Sequence, residues 1–209
     1  MTRELQETFR VHIVDDDDSV RRALSRLLKS TGLDVRAHSS GEELLIELSP
    51  QTPACAILDM YLPKMNGFEL KQKISALSPS LPVIFLTGRG DIGMSVAAMK
   101  EGAFDFLTKP VKPQQLLTVI AAAKKRVAES ESSTREAARY EERLQNLTRR
   151  EAEVMEAVVA GDLNKQIAHD LGLAEKTVKV HRARVMKKMG VRSVAELVRV
   201  SVTKRIDLS

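Results

Sequence analysis

Ala54-Cys55-Ala56-Ile57-Leu58-Asp59 is an unbroken apolar run closed by a single carboxylate. A run this short and this continuously apolar suits a strand buried on both faces, as in a parallel sheet. Working outward, comparable runs occupy residues 11–14, 35–37, 83–86 and 104–107. Between them, apolar residues recur at helical spacing: Val20, Leu24, Leu27 and Leu28; Leu44, Leu45 and Leu48; Phe68, Leu70, Ile74 and Leu77; Met94, Ala97, Ala98 and Met99; Leu116, Leu117 and Ile120. Five strands alternating with five helices over residues 10–123 predict an α/β domain. Its core is a doubly wound, five-stranded parallel sheet with helices on both faces. Ser40-Gly41-Glu42-Glu43 predicts a capping box at the start of the second helix.

Residues 147–209 have another character. Strand-like runs stop, and four helical segments are marked by their ends, which predicts an all-α domain. Thr148-Arg149-Arg150-Glu151 and Ser193-Val194-Ala195-Glu196 have the capping-box pattern, and Gly161, Gly172 and Gly190 are placed as breaks. Residues 124–146 are rich in Ala, Glu and Arg with a Ser-rich interruption at 130–134, and predict a helical linker: an extension of the fifth helix running into a mobile or partly helical stretch. Their apolar residues are too sparse for a coiled coil.

Composition narrows the function classes. The 209 residues are 43% hydrophobic, which is globular. The apolar runs are too short to cross a bilayer, and the first residues, Met1-Thr2-Arg3-Glu4-Leu5, lack the apolar centre of a signal peptide, so a cytoplasmic protein is expected. A single cysteine, Cys55, excludes an internal disulfide or a multi-cysteine zinc site. The net charge is +5, and residues 147–209 carry 13 Lys/Arg against 8 Asp/Glu while residues 1–123 carry 14 against 15. The positive excess therefore sits in the last third, as expected of a polyanion-binding domain.

The polar residues that close the strands carry the chemistry. The first strand runs into Asp15 and Asp16, the third ends in Asp59, the fourth in Thr87 and the fifth leads to Lys109. In a doubly wound sheet these carboxyl ends share one edge, where ligands bind. Carboxylates gathered this closely repel one another, which raises a pKa or calls for a cation, and an all-oxygen donor set suits Mg²⁺. Asp59 can then act as a nucleophile toward phosphorus, with Lys109 neutralising developing charge and Thr87 donating to a phosphoryl oxygen. Asp17 and Asp18 are read as helix-start residues, and His12 as a packed core residue.

Residues 10–123 resemble a receiver domain (CheY-like). Leu62-Pro63-Lys64-Met65-Asn66-Gly67 matches the turn that follows the phosphoacceptor, and the run from Thr87-Gly88-Arg89-Gly90-Asp91 through Phe104-Asp105-Phe106-Leu107-Thr108-Lys109-Pro110 is similar to FixJ-type regulators. The resemblance implies that Asp16 and Asp59 ligate Mg²⁺ directly, that Asp15 helps through water, and that the Tyr61 backbone carbonyl is a further ligand. It also implies a cis Lys109-Pro110 peptide and a switch in which Thr87 moves toward the phosphoryl group while Phe106 turns inward. A dimer surface bearing Met94, Val96 and Met99 would be reshaped. The chain departs from the FixJ pattern at Tyr61, Arg89 and Val111, where Arg, His and Phe are frequent.

In the last third, residues 161–173 read as a helix and a tight turn, and residues 174–190 as a second helix. Val178, Val185 and Met189 form its inward stripe, with Ile167, Ala168 and Leu171 opposite. This is the layout of a helix-turn-helix whose second helix enters the major groove. The domain resembles the LuxR/NarL type from Leu147-Thr148-Arg149-Arg150-Glu151 to Ala195-Glu196-Leu197, with the signature Thr177-Val178-Lys179-Val180-His181. Ala174 stands where that family usually has Ser, so a side-chain cap worth ~1 kcal/mol is expected to be missing. Lys179, Val180 and Arg182 are expected at base edges, and Lys165, Lys176, His181, Arg184 and Lys188 at phosphates. Together the resemblances imply a two-component response regulator of the NarL/FixJ family. A histidine kinase would supply the phosphoryl group, the phosphorylated form would be a homodimer, and double-stranded promoter DNA and RNA polymerase would be partners. A rival reading as an aspartyl phosphatase needs a second Asp two residues after the nucleophile, and position 61 is Tyr. Two others, a phosphorylation-independent interaction module and a protein–protein adaptor, run against the complete acidic site and the basic second helix.

Overall fold

The computed structural model describes residues 9–88 and 100–207. The chain divides into two units, residues 1–131 and 132–209. In the first, strands β1 (Arg10–Val14), β2 (Asp34–His38), β3 (Ala54–Asp59), β4 (Val83–Thr87) and β5 (Asp105–Thr108) are interleaved with helices α1 (Asp18–Ser30), α2 (Gly41–Glu47) and α3 (Gly67–Leu77). The sheet is entirely parallel with order β2-β1-β3-β4-β5, as a doubly wound sheet requires. The helix expected around Met94–Met99, with Val96, lies outside the described residues.

Strand β3 explains why its sequence has no polar residue before Asp59. Cys55 and Ile57 point into one core with Ile13, Leu24, Leu28, Leu116 and Ile120, while Ala56 and Leu58 point into the other with Leu44, Leu70, Ile74 and Phe85. The two-residue period of a strand thus serves two cores, under α1 and the following long helix on one side and under α2 and α3 on the other. Burial pushes the Cys55 thiol up to about 12.

Helix α4 (Pro113–Gln145) extends beyond the receiver as expected, and it runs on without loosening at the Ser-rich stretch. Ser and Thr lie only modestly below good helix formers, and the Ala, Glu and Arg residues around them outweigh that deficit. The division between the two units falls inside this helix. The second unit continues with α5 (Arg149–Ala160), α6 (Asn164–Leu171), α7 (Glu175–Met189) and α8 (Val194–Asp207). Val154, Val158, Ile167, Val178, Val185, Met189 and Leu197 form its core. Among the described residues no helix is long and apolar enough to cross a membrane.

Most of the local helix signals form as the residues predict. Thr148 and Glu151 form a reciprocal capping box, and Gly161, Gly172 and Gly190 close three helices with positive φ. Two expected boxes are only half formed. Ser40 accepts from the Glu43 amide, but the Glu43 carboxylate takes the Ser39 amide and hydroxyl, both at 2.7 Å. Likewise Glu196 accepts from the Arg192 amide, one residue before its expected partner Ser193.

His12 is a core residue, as expected, and it has a partner that periodicity could not reveal. Its Nδ1 lies 3.0 Å from Nε2 of His38 on the neighbouring strand, so one ring donates while the other accepts and must be neutral at that nitrogen. Burial first, then the neighbouring His38 and Arg10, lowers the His12 pKa to about 4. His38 is lowered too, mainly by burial, against the opposing pull of Glu47. A histidine held neutral stabilises the fold fully above its unfolded pKa of about 6.5 and loses that contribution as pH falls toward about 4. The loss amounts to about 3 kcal/mol over that window. Urea unfolding at pH 7 and pH 4.5 is expected to show a steeper acid loss for wild type than for His12→Val; equal losses would place the acid sensitivity elsewhere.

Candidate functional site

The five strands deliver their carboxyl ends to one edge of the sheet, and the polar residues follow. Asp15 comes directly after β1, Asp59 is the last residue of β3, and Thr87 is the last of β4. The Lys109 amide donates to the Thr87 carbonyl at 2.8 Å, extending the β4–β5 ladder by one bond and setting Lys109 at the same edge. The Lys109-Pro110 peptide is cis.

There the Lys109 ammonium lies 2.7 Å from Asp15 Oδ2 and 2.7 Å from Asp59 Oδ2. Burial works against the lysine charge, but hydrogen bonds to Asp15 and Asp59 outweigh it and hold the pKa above its ordinary value. Asp15 is fully buried and Asp59 nearly so, whereas Asp16 is exposed. One carboxylate oxygen from each of the three lies within 4.8 Å of the others. An all-oxygen donor set of carboxylates is the type that Mg²⁺ takes, so the chemistry of the cluster suits that ion. The second oxygens are oriented by backbone, Asp15 Oδ1 by the Asp17 amide at 2.9 Å and Asp59 Oδ1 by the Tyr61 amide at 3.2 Å. The Tyr61 side chain is largely exposed.

Asp17 and Asp18 stand outside this set, as expected. Asp17 caps α1 by accepting from the Ser19 amide at 2.8 Å and the Ser19 hydroxyl at 2.6 Å, and Asp18 pairs with Arg21 and Arg22. Arg21 is a site residue that the sequence reading missed. Its Nη1 donates to the Asp15 carbonyl at 2.6 Å and its Nη2 to Asp18, tying the acidic turn back onto α1. The available signal was a cation on the helix that starts at the acidic turn. Gly67 is required by close approach: a Cβ there would stand 3.0 Å from the Asp59 carbonyl oxygen and 3.1 Å from Met60 Cα. Thr87 is buried, and Phe106 is half-buried against the core containing Met65, Leu70 and Phe85. Arg89 lies outside the described residues.

In the second unit, α6, a glycine turn and α7 form the expected helix-turn-helix. Val178, Val185 and Met189 are buried, and Ala174 makes no side-chain cap. The face of α7 opposite that stripe is centred on Lys176, Val180, Ala183 and Lys187, all exposed, with Lys179 and Arg184 beside it. Lys165 is exposed at the start of α6. Lys179 pairs loosely with Glu175 at 3.1 Å, one turn away. The structure does not place Arg182, His181 and Lys188 on that face; all three are half-buried on its flanks. Arg182 Nη1 donates to Asn164 Oδ1 at 2.6 Å. Lys188 is turned inward, donating to Glu151 Oε2 at 2.6 Å and the Asn146 carbonyl at 2.9 Å. The Glu151 carboxyl is held down to about 2 by Lys188 first and by the Thr148 amide next. Helical periodicity alone ranked Lys188 with the other cations because Glu151 is 37 residues away.

Two family models match the chain. One, for the response regulator receiver domain, covers residues 11–121, and the other, for bacterial regulatory proteins of the luxR family, covers residues 145–201. Nodulation protein W of Bradyrhizobium diazoefficiens is 44% identical, over 92% of this chain and 85% of its own length. Transcriptional regulatory protein FixJ of Rhizobium meliloti is 39% identical, over 93% and 95%. The solved structure of the response regulator StyR matches with a TM-score of 0.83 at 41% identity, covering 94% of this chain and 99% of that one. A parallel sheet whose acidic edge is bridged by one lysine, followed by a helix-turn-helix with a basic outer face, thus belongs to the response regulators: the chain is a member of the FixJ-like family, with a receiver domain and a LuxR-type DNA-binding domain.

Proposed function

We propose that Asp59 accepts a phosphoryl group from a histidine kinase and that this event controls DNA binding by the second domain. The observation that carries the proposal is the Lys109 ammonium 2.7 Å from both Asp15 and Asp59, with Asp16 alongside. In the transfer, an Asp59 carboxylate oxygen attacks phosphorus, the P–O bond forms and the P–N bond to the donor histidine breaks. The donor imidazole leaves with the bond's electron pair and is protonated to its neutral form. Asp15, Asp16, Asp59 and the Tyr61 carbonyl would hold Mg²⁺, which supplies charge neutralisation for the transferred group. Lys109 provides a second positive charge and Thr87 a hydroxyl donor. The receiver on this reading catalyses only its own phosphorylation and dephosphorylation, in the cytoplasm.

Phosphorylation adds about −1.5 to −2 charges and new acceptor oxygens, enough to draw the Thr87 hydroxyl toward Asp59 and let Phe106 turn inward. The altered receiver surface then dimerises. A dimer presents two copies of α7 to half-sites in promoter DNA, where bound regulator meets RNA polymerase. On α7, Lys179 and Val180 reach base edges, while Lys165, Lys176 and Arg184 reach phosphates. Arg182 and His181 act from the flank, and Lys188 holds the helix in place.

Intact mass after incubation with Mg²⁺ and acetyl phosphate is expected to show one phosphoryl group on wild type and none on Asp59→Asn. Phosphorylation of both would move the acceptor away from Asp59; addition to neither, in folded protein, would remove the chemical switch. Lys109→Ala leaves Asp15 and Asp59 facing each other without a counter-charge, and should lower stability by about 1–3 kcal/mol given the partial exposure of the lysine. Added MgCl₂ should raise the melting temperature of this variant more than that of wild type. Selection of duplexes from a random library by the full chain should return a defined sequence. Against it, Lys179→Ala should lose more affinity than against scrambled DNA, whereas Lys176→Ala should lose both alike and reduce the salt slope by about 1.

A further inference from the structure

The final turns of α4 lie outside both family matches, which end at residue 121 and resume at 145, yet they touch the DNA-binding core at several points. Tyr140 and Leu144 pack on the apolar cluster that contains Val185 and Met189. The Tyr140 hydroxyl lies 3.1 Å from the hydroxyl of buried Ser201 on α8. Arg143, on the same face one turn from Tyr140, donates from Nη1 to the Met189 carbonyl at 2.8 Å, across 46 residues of sequence. Its guanidinium lies over Gly190, where a Cβ would come within 3.1 Å of Arg143 Cζ and Nη1.

Met189 is the last residue of α7, so its carbonyl is one of the four that a helix leaves without an internal partner. Gly190, with φ 65, turns the chain away. Its amide bonds back to Lys187, and the Val191 amide to Met186. Those closures leave the Met189 carbonyl pointing outward, and Arg143 meets it with a charged donor at the negative end of the helix dipole. Lys188 grips the other side of the same terminus through Glu151 and the Asn146 carbonyl.

We propose that Arg143 is a positioning residue for DNA recognition: from the last turns of α4 it fixes the C-terminal end of α7, and so the attitude of that helix within its own domain. This rests on α7 being the DNA-reading helix. The residues from Tyr140 onward then belong functionally to the DNA-binding domain.

Hydrogen exchange on the full chain tests this without DNA. Arg143→Gln should speed exchange of the amides at the end of α7 by about fivefold, the equivalent of one hydrogen bond of roughly 1 kcal/mol, while α5 and the receiver stay as in wild type. Arg143→Lys, which keeps a charged donor, should recover at least half of the protection. Faster exchange throughout the domain would make Arg143 a general stabiliser, and unchanged exchange at the end of α7 would remove the contact; either overturns the proposal. With the duplex selected by wild type, Arg143→Gln should lose about fivefold in affinity and less than twofold for a scrambled duplex. Equal losses would overturn the link to recognition. If selection returns no duplex, the DNA-reading assignment of α7 fails, and exchange still decides whether Arg143 holds that terminus.

Discussion

Asp15 and Asp59 sit buried side by side because the ammonium of Lys109 is within 2.7 Å of each. Two carboxylates this close in a medium of low polarity repel by several kcal/mol if left alone. The compensation depends on the sheet being parallel, since only then do β1, β3 and β5 end at one edge. It depends also on backbone details: the Lys109 amide on the Thr87 carbonyl, the Arg21 fork on the Asp15 carbonyl, and the bare Gly67 under Asp59. One ammonium among Asp15, Asp16 and Asp59 leaves negative charge unbalanced. The site is therefore stable enough to fold and still attractive to a cation or to a positively assisted phosphoryl group.

The same economy governs the DNA-binding domain. Helix α7 turns its apolar stripe inward and uses its remaining side chains in two ways. Those centred on Lys176, Val180, Ala183 and Lys187 face solvent, while those on the flanks anchor it, Arg182 to Asn164 and Lys188 to Glu151. Glu151 is the keystone of that arrangement. It closes the capping box of α5 with Thr148 and, in the same position, receives Lys188. One carboxylate thus joins the start of the domain to the end of α7.

The parts of this architecture that are local were legible in the residues. An apolar run that ends in Asp59 is a buried strand with a carboxylate at its edge, and Thr148 with Glu151 starts a helix whatever follows. Val178, Val185 and Met189 define the inward side of α7 by spacing alone. The rest depends on partners brought together by folding. His38 meets His12 across 26 residues, Lys188 meets Glu151 across 37, and Arg143 meets Met189 across 46, and no periodicity encodes such meetings. The fifth helix was expected to extend beyond the receiver and does so; only the loosening expected at the Ser-rich stretch does not occur. Ser132, Ser133 and Thr134 are weak helix formers taken singly, but helix formation is cooperative and the flanking turns carry them.

Cys55, the only cysteine in the chain, lies in the middle of β3 with its sulfur closed off by the sheet and α1. A thiol pushed up to about 12 carries almost no thiolate near neutrality, and the thiolate is the form that reacts. The folded molecule is therefore mute toward alkylating and thiol-exchange reagents. It gains no disulfide-linked partner on oxidation, and a cysteine introduced on its surface would be a unique point of attachment. Conversely, labelling of the wild-type chain would report opening of the receiver sheet around β3.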